Sequence, residues 1–254
     1  MIDRIKALIL GDGGAGGNGA DTASGADDLA VAAVALLVEA AVMDGDFDDA
    51  ERWVRSRLLP CQVTEGEGLH PLENSDEDNF RDLSQRFIGT LGGVHNEPHG
   101  GKKGTTDVTA AVLHTLIDIY ENIVISSPTD LKVQFHFDYE DEDIEIKSER
   151  ADKAKLTIRP RSAKNLQVRV PSWTPAESVK FSSGGKPIEP RMLGNFAFFG
   201  KERITEGVQM SYDLPEGRTE EEIDGTRYSF SWRGDEITGV SPNTDFLPFY
   251  PTAE

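Results

Sequence analysis

The chain has 254 residues, and 26 Lys and Arg stand against 45 Asp and Glu for a formal charge of -19. That charge repels nucleic-acid phosphates and anionic lipid, and it favours cations, basic partners or neutral ligands. With 37% hydrophobic and 28% charged residues the composition reads as an ordinary globular chain, and the single Cys61 excludes an intrachain disulfide, a multi-cysteine zinc site and a CxxC redox motif.

Residues 1 to 10, MIDRIKALIL, place three charges before a short apolar run with no small-residue cleavage site after it. A signal peptide is therefore not expected, and the expected compartment is the cytoplasm. Gly11 to Gly25 holds seven glycines in fifteen positions and reads as a flexible linker. Gly14, Gly16 and Gly19 spell GxGxxG, but the stretch lacks the strand before and the helix after that a dinucleotide site requires, so no nucleotide is expected.

Asp27 and Asp28 can cap LAVAAVALLVEAAVM, Leu29 to Met43, whose Ala and Leu content predicts a helix apolar almost all round. At fifteen residues with Glu39 inside it is shorter than the roughly 20 needed to span a bilayer. It reads as a buried bundle helix, and no membrane span is expected. Gly45 can close it, and Asp48 or Asp49 can cap a second helix with Trp53, Val54, Leu58 and Leu59 on its apolar side.

Asp44, Asp46, Asp48 and Glu51 crowd the turn between these helices, where close carboxylates repel unless a hard cation or water lies among them. They are the first-choice ligands for a divalent metal, calcium or zinc. The loop is not an EF-hand, because Asp49 stands where its glycine belongs and Arg55 where its bidentate acid belongs. A capped, solvated acidic turn is the competing reading. The order of features from Asp27 to Leu59 resembles the opening of the TerB family of tellurite-resistance proteins. That resemblance implies an all-helical segment and metal binding at the same four acids.

Between Pro60 and Gly104 turn residues and acids accumulate, with one helix predicted at about Asp76 to Thr90 from Phe80, Leu83, Phe87 and Leu91. His95, Glu97 and His99 in GGVHNEPHGGKKG form the second-choice metal set. Pro98 and the glycines rule out a helical HExxH geometry. Asp107 to Ser126 is the clearest predicted helix, with Val108, Val112, Leu116, Ile119 and Ile123 inward and His114, Asp118 and Glu121 outward.

Beyond Pro128 the hydrophobic period changes from 3.6 to 2. LKVQFHFD, EDIEIKSE, KAKLTIRP, NLQVRVP, ESVKFSS, NFAFFG, GVQMSYDL, TRYSFSWRG and EITGVS predict nine strands of an antiparallel sandwich or barrel, with a hairpin at Gly184 and Gly185. His136 alternates with Phe135 and Phe137 and is expected on the exposed face. Trp173 and Trp232 are expected in the core, with a sugar-stacking rim as the alternative. The expected class is α+β: a short helical N-terminal region followed by an antiparallel β-sandwich. Its segments would be 1–59, 60–127 and 128–254.

The phrases NLQVRVPSWTP, GGKPIEP, GVQMSYDLP and YSFSWRGDEITGVSPNTDFLPFYPT resemble, in order, the C-terminal region of β-L-arabinofuranosidase-like glycoside hydrolases. The resemblance begins near RSRLLPCQ and implies a last barrel helix at 107–126 followed by the sandwich. It also implies a carbohydrate ligand. The best-known branch of that family groups several cysteines and a glutamate around zinc, whereas this chain has Cys61 alone and too few residues for a whole barrel. The expectation is a non-catalytic or truncated carbohydrate-enzyme-derived sandwich with a binding role, fused to a TerB-like acidic segment. Two alternatives stand beside it: a metal-binding tellurite-resistance protein, and a glycoside hydrolase that needs a partner protein.

Overall fold

The computed structural model describes residues 46–62, 94–96, 102–104, 109–223, 225–242, 250 and 253. The glycine-rich stretch 11–25, the apolar run 29–43 and the helix predicted at 76–90 lie outside them. Among the described residues the chain is α+β, with a few helical segments ahead of mostly antiparallel sheets. None of its helices is long and apolar enough to cross a membrane.

Helix α1 (Phe47–Trp53) begins where the Asp46 side chain accepts a hydrogen bond from the Asp49 N–H, and Asp48 and Asp49 complement the helix dipole in its first turn. It runs directly into one wider turn, Val54–Leu58, closed by the Leu59 N–H donating to the Val54 carbonyl. Two three-residue strands follow, β1 (Val94–Asn96) and β2 (Lys102–Gly104), paired with each other. Helix α2 (Thr109–Glu121) leads into β3 (Val124–Ser126).

The helix predicted to reach Ser126 therefore ends at Glu121. Its last residues, Val124 to Ser126, are β-branched or small, and they pair in register with Val133 to Leu131 instead of adding a further helical turn.

The remaining strands are β4 (Asp130–Val133), β5 (Tyr139–Glu140), β6 (Ile144–Arg150), β7 (Lys153–Pro160), β8 (Asn165–Arg169), β9 (Lys180–Ser183), β10 (Lys186–Pro187), β11 (Arg191–Leu193), β12 (Phe196–Phe199), β13 (Val208–Asp213), β14 (Glu216–Ile223), β15 (Thr226–Arg233) and β16 (Glu236–Ser241). All nine strands read from alternation are among them. One sheet has the order β10-β9-β13-β7-β6-β5, and the other has the order β11-β12-β8-β4-β3. The pairing is antiparallel except between β4 and β8, which run parallel. Inward residues of both sheets form one core, in which Leu131, Val133, Leu166 and Val168 meet Ile144, Ile146, Leu156 and Met210. Phe181 and Phe199 join the two sheets edge to face at 5.2 Å.

The expected hairpin forms as a two-residue turn. Gly184 and Gly185 both take positive φ, +54° and +74°, and Ser183 pairs with Lys186 across it.

The third sheet, β14-β15-β16, has its own small core of Tyr228, Phe230, Trp232, Val240 and Tyr250. Helix α1 and its continuation sit between this sheet and the sandwich. Ala50, Val54 and Leu58, spaced four apart, belong to the sandwich core. On the opposite side Arg52 stacks on Trp232 at 4.3 Å, and the Tyr250 hydroxyl donates to the Ser56 carbonyl at 2.5 Å. Residues 47–58, assigned from sequence to a front segment ending at residue 59, thus share their apolar interior with strands more than seventy residues away.

Candidate functional site

The most unusual chemistry of the described residues lies where α1 meets the sandwich. Glu51 and Arg55 are one helical turn apart, so their side chains meet on one face, and Arg55 Nε donates to Glu51 Oε1 at 2.9 Å. That face is buried, with the two side chains 3% and 8% exposed. A buried carboxylate and guanidinium are tolerable only when their remaining lone pairs and protons find partners.

The sandwich supplies those partners. Arg169, the last residue of β8, is 1% exposed and donates through Nε to the Gln134 carbonyl at 2.5 Å. Its two terminal nitrogens reach the carboxylates of Glu51 and Asp48. The other Asp48 oxygen accepts the Ser172 N–H at 2.8 Å, and Glu51 Oε2 also accepts the His136 N–H at 3.2 Å. Arg55 Nη2 donates to the His136 carbonyl at 2.5 Å, while its guanidinium lies 4.2 Å over the Phe137 ring.

A second carboxylate pair, Asp235 and Glu236, arrives from the β15–β16 turn. Arg150, at the end of β6, binds Asp235 and reaches Glu236 at 2.8 Å, and Arg55 Nε lies 3.6 Å from Asp235. Three guanidinium groups thus meet four carboxylates from α1 and its continuation, β6, β8, and β16 with its preceding turn.

Burial sets the electrostatics. It lowers Arg169 to about 10, which leaves it charged at neutral pH. Burial also opposes the charge of Arg55, but Glu51 and then Asp235 outweigh it and hold the group above its ordinary value. Burial, reinforced by Glu51, raises Asp235 above the usual carboxylate range, with Arg150 and Arg55 pulling it back.

His136 lies at the centre. Its Nε2 is 3.0 Å from the Arg169 carbonyl, which can only accept, so Nε2 carries the proton. Nδ1, 2.7 Å from the Tyr212 hydroxyl, is then the acceptor of that O–H. Burial, then the nearby Arg55 charge, lowers the ring to about 4, in keeping with the neutral tautomer. Tyr212 is pushed well above its ordinary value by burial and by Glu51.

His136 is 1% exposed, whereas alternation with its phenylalanine neighbours predicts a solvent-facing ring. The reason is that β4 ends at Val133 and His136 lies in the irregular link to β5, where its ring turns onto Tyr212 and the Arg169 carbonyl of the sandwich, while Phe47 of α1 packs edge-on to Phe135 at 5.5 Å.

Of the first-choice metal residues, Asp44 lies outside the described residues. Asp46 is exposed and occupied as the cap of α1, where burial followed by the Asp46 charge raises Asp49. Asp48 and Glu51 are brought together, but around the Arg169 guanidinium. His95 lies on β1 opposite Lys103, and Glu97 and His99 are outside the described residues. Among the described residues no group of three or more His, Cys, Asp or Glu side chains is arranged to hold a metal. His114 and Asp118 pair at 3.3 Å on the outer face of α2, as their spacing predicts.

No family model matches the chain. No curated protein matches it either. Among solved structures it is similar to a GH127 β-L-arabinofuranosidase from Geobacillus stearothermophilus T6, at 17% identity and a TM-score of 0.46 over 84% of this chain and 36% of that one. It is also similar to a chain described as a glycoside hydrolase, at 12% identity and a TM-score of 0.49 over 83% and 37%. A third is a GH127 β-arabinofuranosidase, at 12% identity and a TM-score of 0.49 over 84% and 36%. The chain therefore spans little more than a third of the length of these structures.

Proposed function

We propose that this chain is a non-catalytic β-sandwich module of a carbohydrate-active system, with a binding or scaffolding role. The observation that carries this reading is the state of the carboxylates in the ion network. Hydrolysis of a glycosidic bond needs two carboxyl groups held apart across a sugar, one able to give a proton and one able to attack or to activate water. Here Asp48, Glu51, Asp235 and Glu236 each lie against an arginine, and both nitrogens of His136 are already engaged. Groups held in this way lock elements together, and none of these five described side chains is free to act as a base.

The sequence resemblance supports the carbohydrate part of the reading and explains itself physically. Arg169 lies in NLQVRVPSWTP, Asp235 and Glu236 lie in YSFSWRGDEITG, and Arg55 opens RSRLLPCQ. These phrases of the likeness to β-L-arabinofuranosidase-like enzymes thus supply four of the seven charged residues of the ion network. Purified protein is expected to release no sugar from aryl arabinofuranosides above the buffer rate. Release that disappears on replacing one carboxylate would overturn the proposal.

The alternative of a TerB-type metal site at Asp44, Asp46, Asp48 and Glu51 requires a cation to displace Arg169 from two of its four ligands. Titration calorimetry with calcium, manganese and zinc is expected to give no heat. Heat abolished by Asp46→Asn with Asp48→Asn would favour the metal reading instead.

A further inference from the structure

A sheet edge presents unpaired backbone N–H and C=O groups, and folded chains blunt it by short strands, proline, bulges or cover. The sandwich follows that rule. Its edge strands β5 and β10 are two residues long, with Pro187 ending β10, and its edge strands β3 and β11 are three. In the third sheet β16 is bulged at Thr238, where its register with β15 shifts. The Ala253 N–H also donates to the Val240 carbonyl at 3.0 Å, and Ala253 packs closely on Gly239.

β14, at the opposite edge of that sheet, has none of these devices. It is eight residues long, holds no proline and pairs with β15 in unbroken register from Glu216 to Ile223. Among the described residues no strand pairs with its other side. Every one of its positions is exposed, so the chain does not cover this edge itself.

From this edge we infer that β14 receives an extended basic segment of a partner protein as a further antiparallel strand. The side chains select that occupant. Gly217, Thr219 and Glu221 lie opposite Trp232, Phe230 and Tyr228, on the side of the small core, which leaves Glu216, Arg218, Glu220 and Glu222 in a row on the other face. Like charges set directly opposite each other destabilise a strand pair.

A second copy of β14 fails on that ground in every antiparallel register overlapping more than half of the strand. Pairing about Thr219 sets Glu216 against Glu222, and pairing about Glu220 sets that residue against itself. Pairing about Arg218 or Glu221 sets Glu216 or Glu222 against Glu220. A foreign strand escapes the conflict. Read antiparallel, the complement of Glu222, Glu220, Arg218 and Glu216 is basic, basic, acidic and basic at alternate positions. Main-chain bonds to the edge then supply affinity and the alternating charges supply specificity. Such a strand neither requires nor excludes a sugar on the sandwich.

The test is fluorescence anisotropy of the full chain with a labelled peptide in which threonine alternates with, in order, Lys, Lys, Glu and Lys. It is run at low salt, where exposed charges are least screened. This peptide is expected to bind at least about tenfold more tightly than its sign-reversed form, and Glu220→Lys with Glu222→Lys is expected to invert the preference. Both replaced side chains are exposed, and circular dichroism with thermal melts verifies that the variant keeps the fold.

Two N-methylated forms separate strand addition from charge attraction. Methylation at the charged positions blocks one edge of the peptide strand and methylation at the threonines blocks the other, so the two forms should differ in affinity by at least about tenfold. Absence of binding, equal affinity of the two methylated forms, or a charge preference unchanged in the double variant would overturn the inference. So would a dimer of the chain alone that the double variant abolishes, which would give the edge to a second copy.

Discussion

Replacing Glu51 with alanine is expected to lower the unfolding free energy by about 3–5 kcal/mol, the range for removing one partner of a buried ion pair. The loss is large because one carboxylate serves three donors: Arg55, Arg169 and the His136 N–H. Arg169 would keep Asp48 and the Gln134 carbonyl, and Arg55 would keep the His136 carbonyl but, among carboxylates, only the longer contacts to Asp235 and Glu236. Arg169→Met alone is expected to be similarly damaging, since it leaves Glu51 and Asp48 buried without their shared cation.

The double variant Glu51→Leu with Arg169→Met should be markedly less unstable than the sum of the single changes. It removes both charges together and puts apolar volume in their place. Urea unfolding of the four proteins measures the coupling. A loss below about 1 kcal/mol for Glu51→Ala, the range of exposed pairs, would show that the carboxylate is solvated and that the network does not pin the helix.

Acid is expected to weaken the fold through His136. An unfolded histidine titrates near 6.5, and this one is held to about 4 by burial and by Arg55. Between those values the unfolded chain binds a proton that the folded chain does not, so stability rises with pH across the window and is lost as pH falls through it. The full effect is about 3 kcal/mol, reached near pH 4.

Asp235 acts with the opposite sign. Its raised folded value lets the native state take up a proton before the unfolded state does, which offsets part of the loss on acidification. His136→Gln keeps a donor for the Arg169 carbonyl and an acceptor for the Tyr212 hydroxyl but does not titrate. Its urea midpoint should therefore fall less than that of the parent between pH 7 and pH 4.5. Parallel pH curves for the two proteins would remove His136 as the cause.

The strands were legible because each buries one face, most against the facing sheet and β15 and β16 in the small core of the third sheet, and that produces the period of two. β14 was not. Its sequence, EGRTEEEI, is exposed at every position, so no burial pattern marks it, and its pairing with β15 is carried by the backbone. The acidic turn at residues 44–51 was legible as a cluster, but its chemistry was not. The cations that meet it, Arg169 above all, are brought in by topology from more than a hundred residues away. Helical spacing identifies Glu51 and Arg55 as neighbours, and nothing local indicates that both are buried. His136 was misplaced because it lies past the end of β4, where strand alternation no longer governs which way a side chain turns.

These points converge on residues 47–58 as an integral part of the sandwich, held on one side by its core and the ion network and on the other by the β14-β15-β16 sheet. Limited proteolysis of the full chain, with fragments sized by mass spectrometry, measures this directly. The resistant fragment is predicted to begin at or before Asp46, with no cut between Phe47 and Leu58 until the whole sandwich is lost. A stable, folded fragment beginning at residue 60 or later would contradict it.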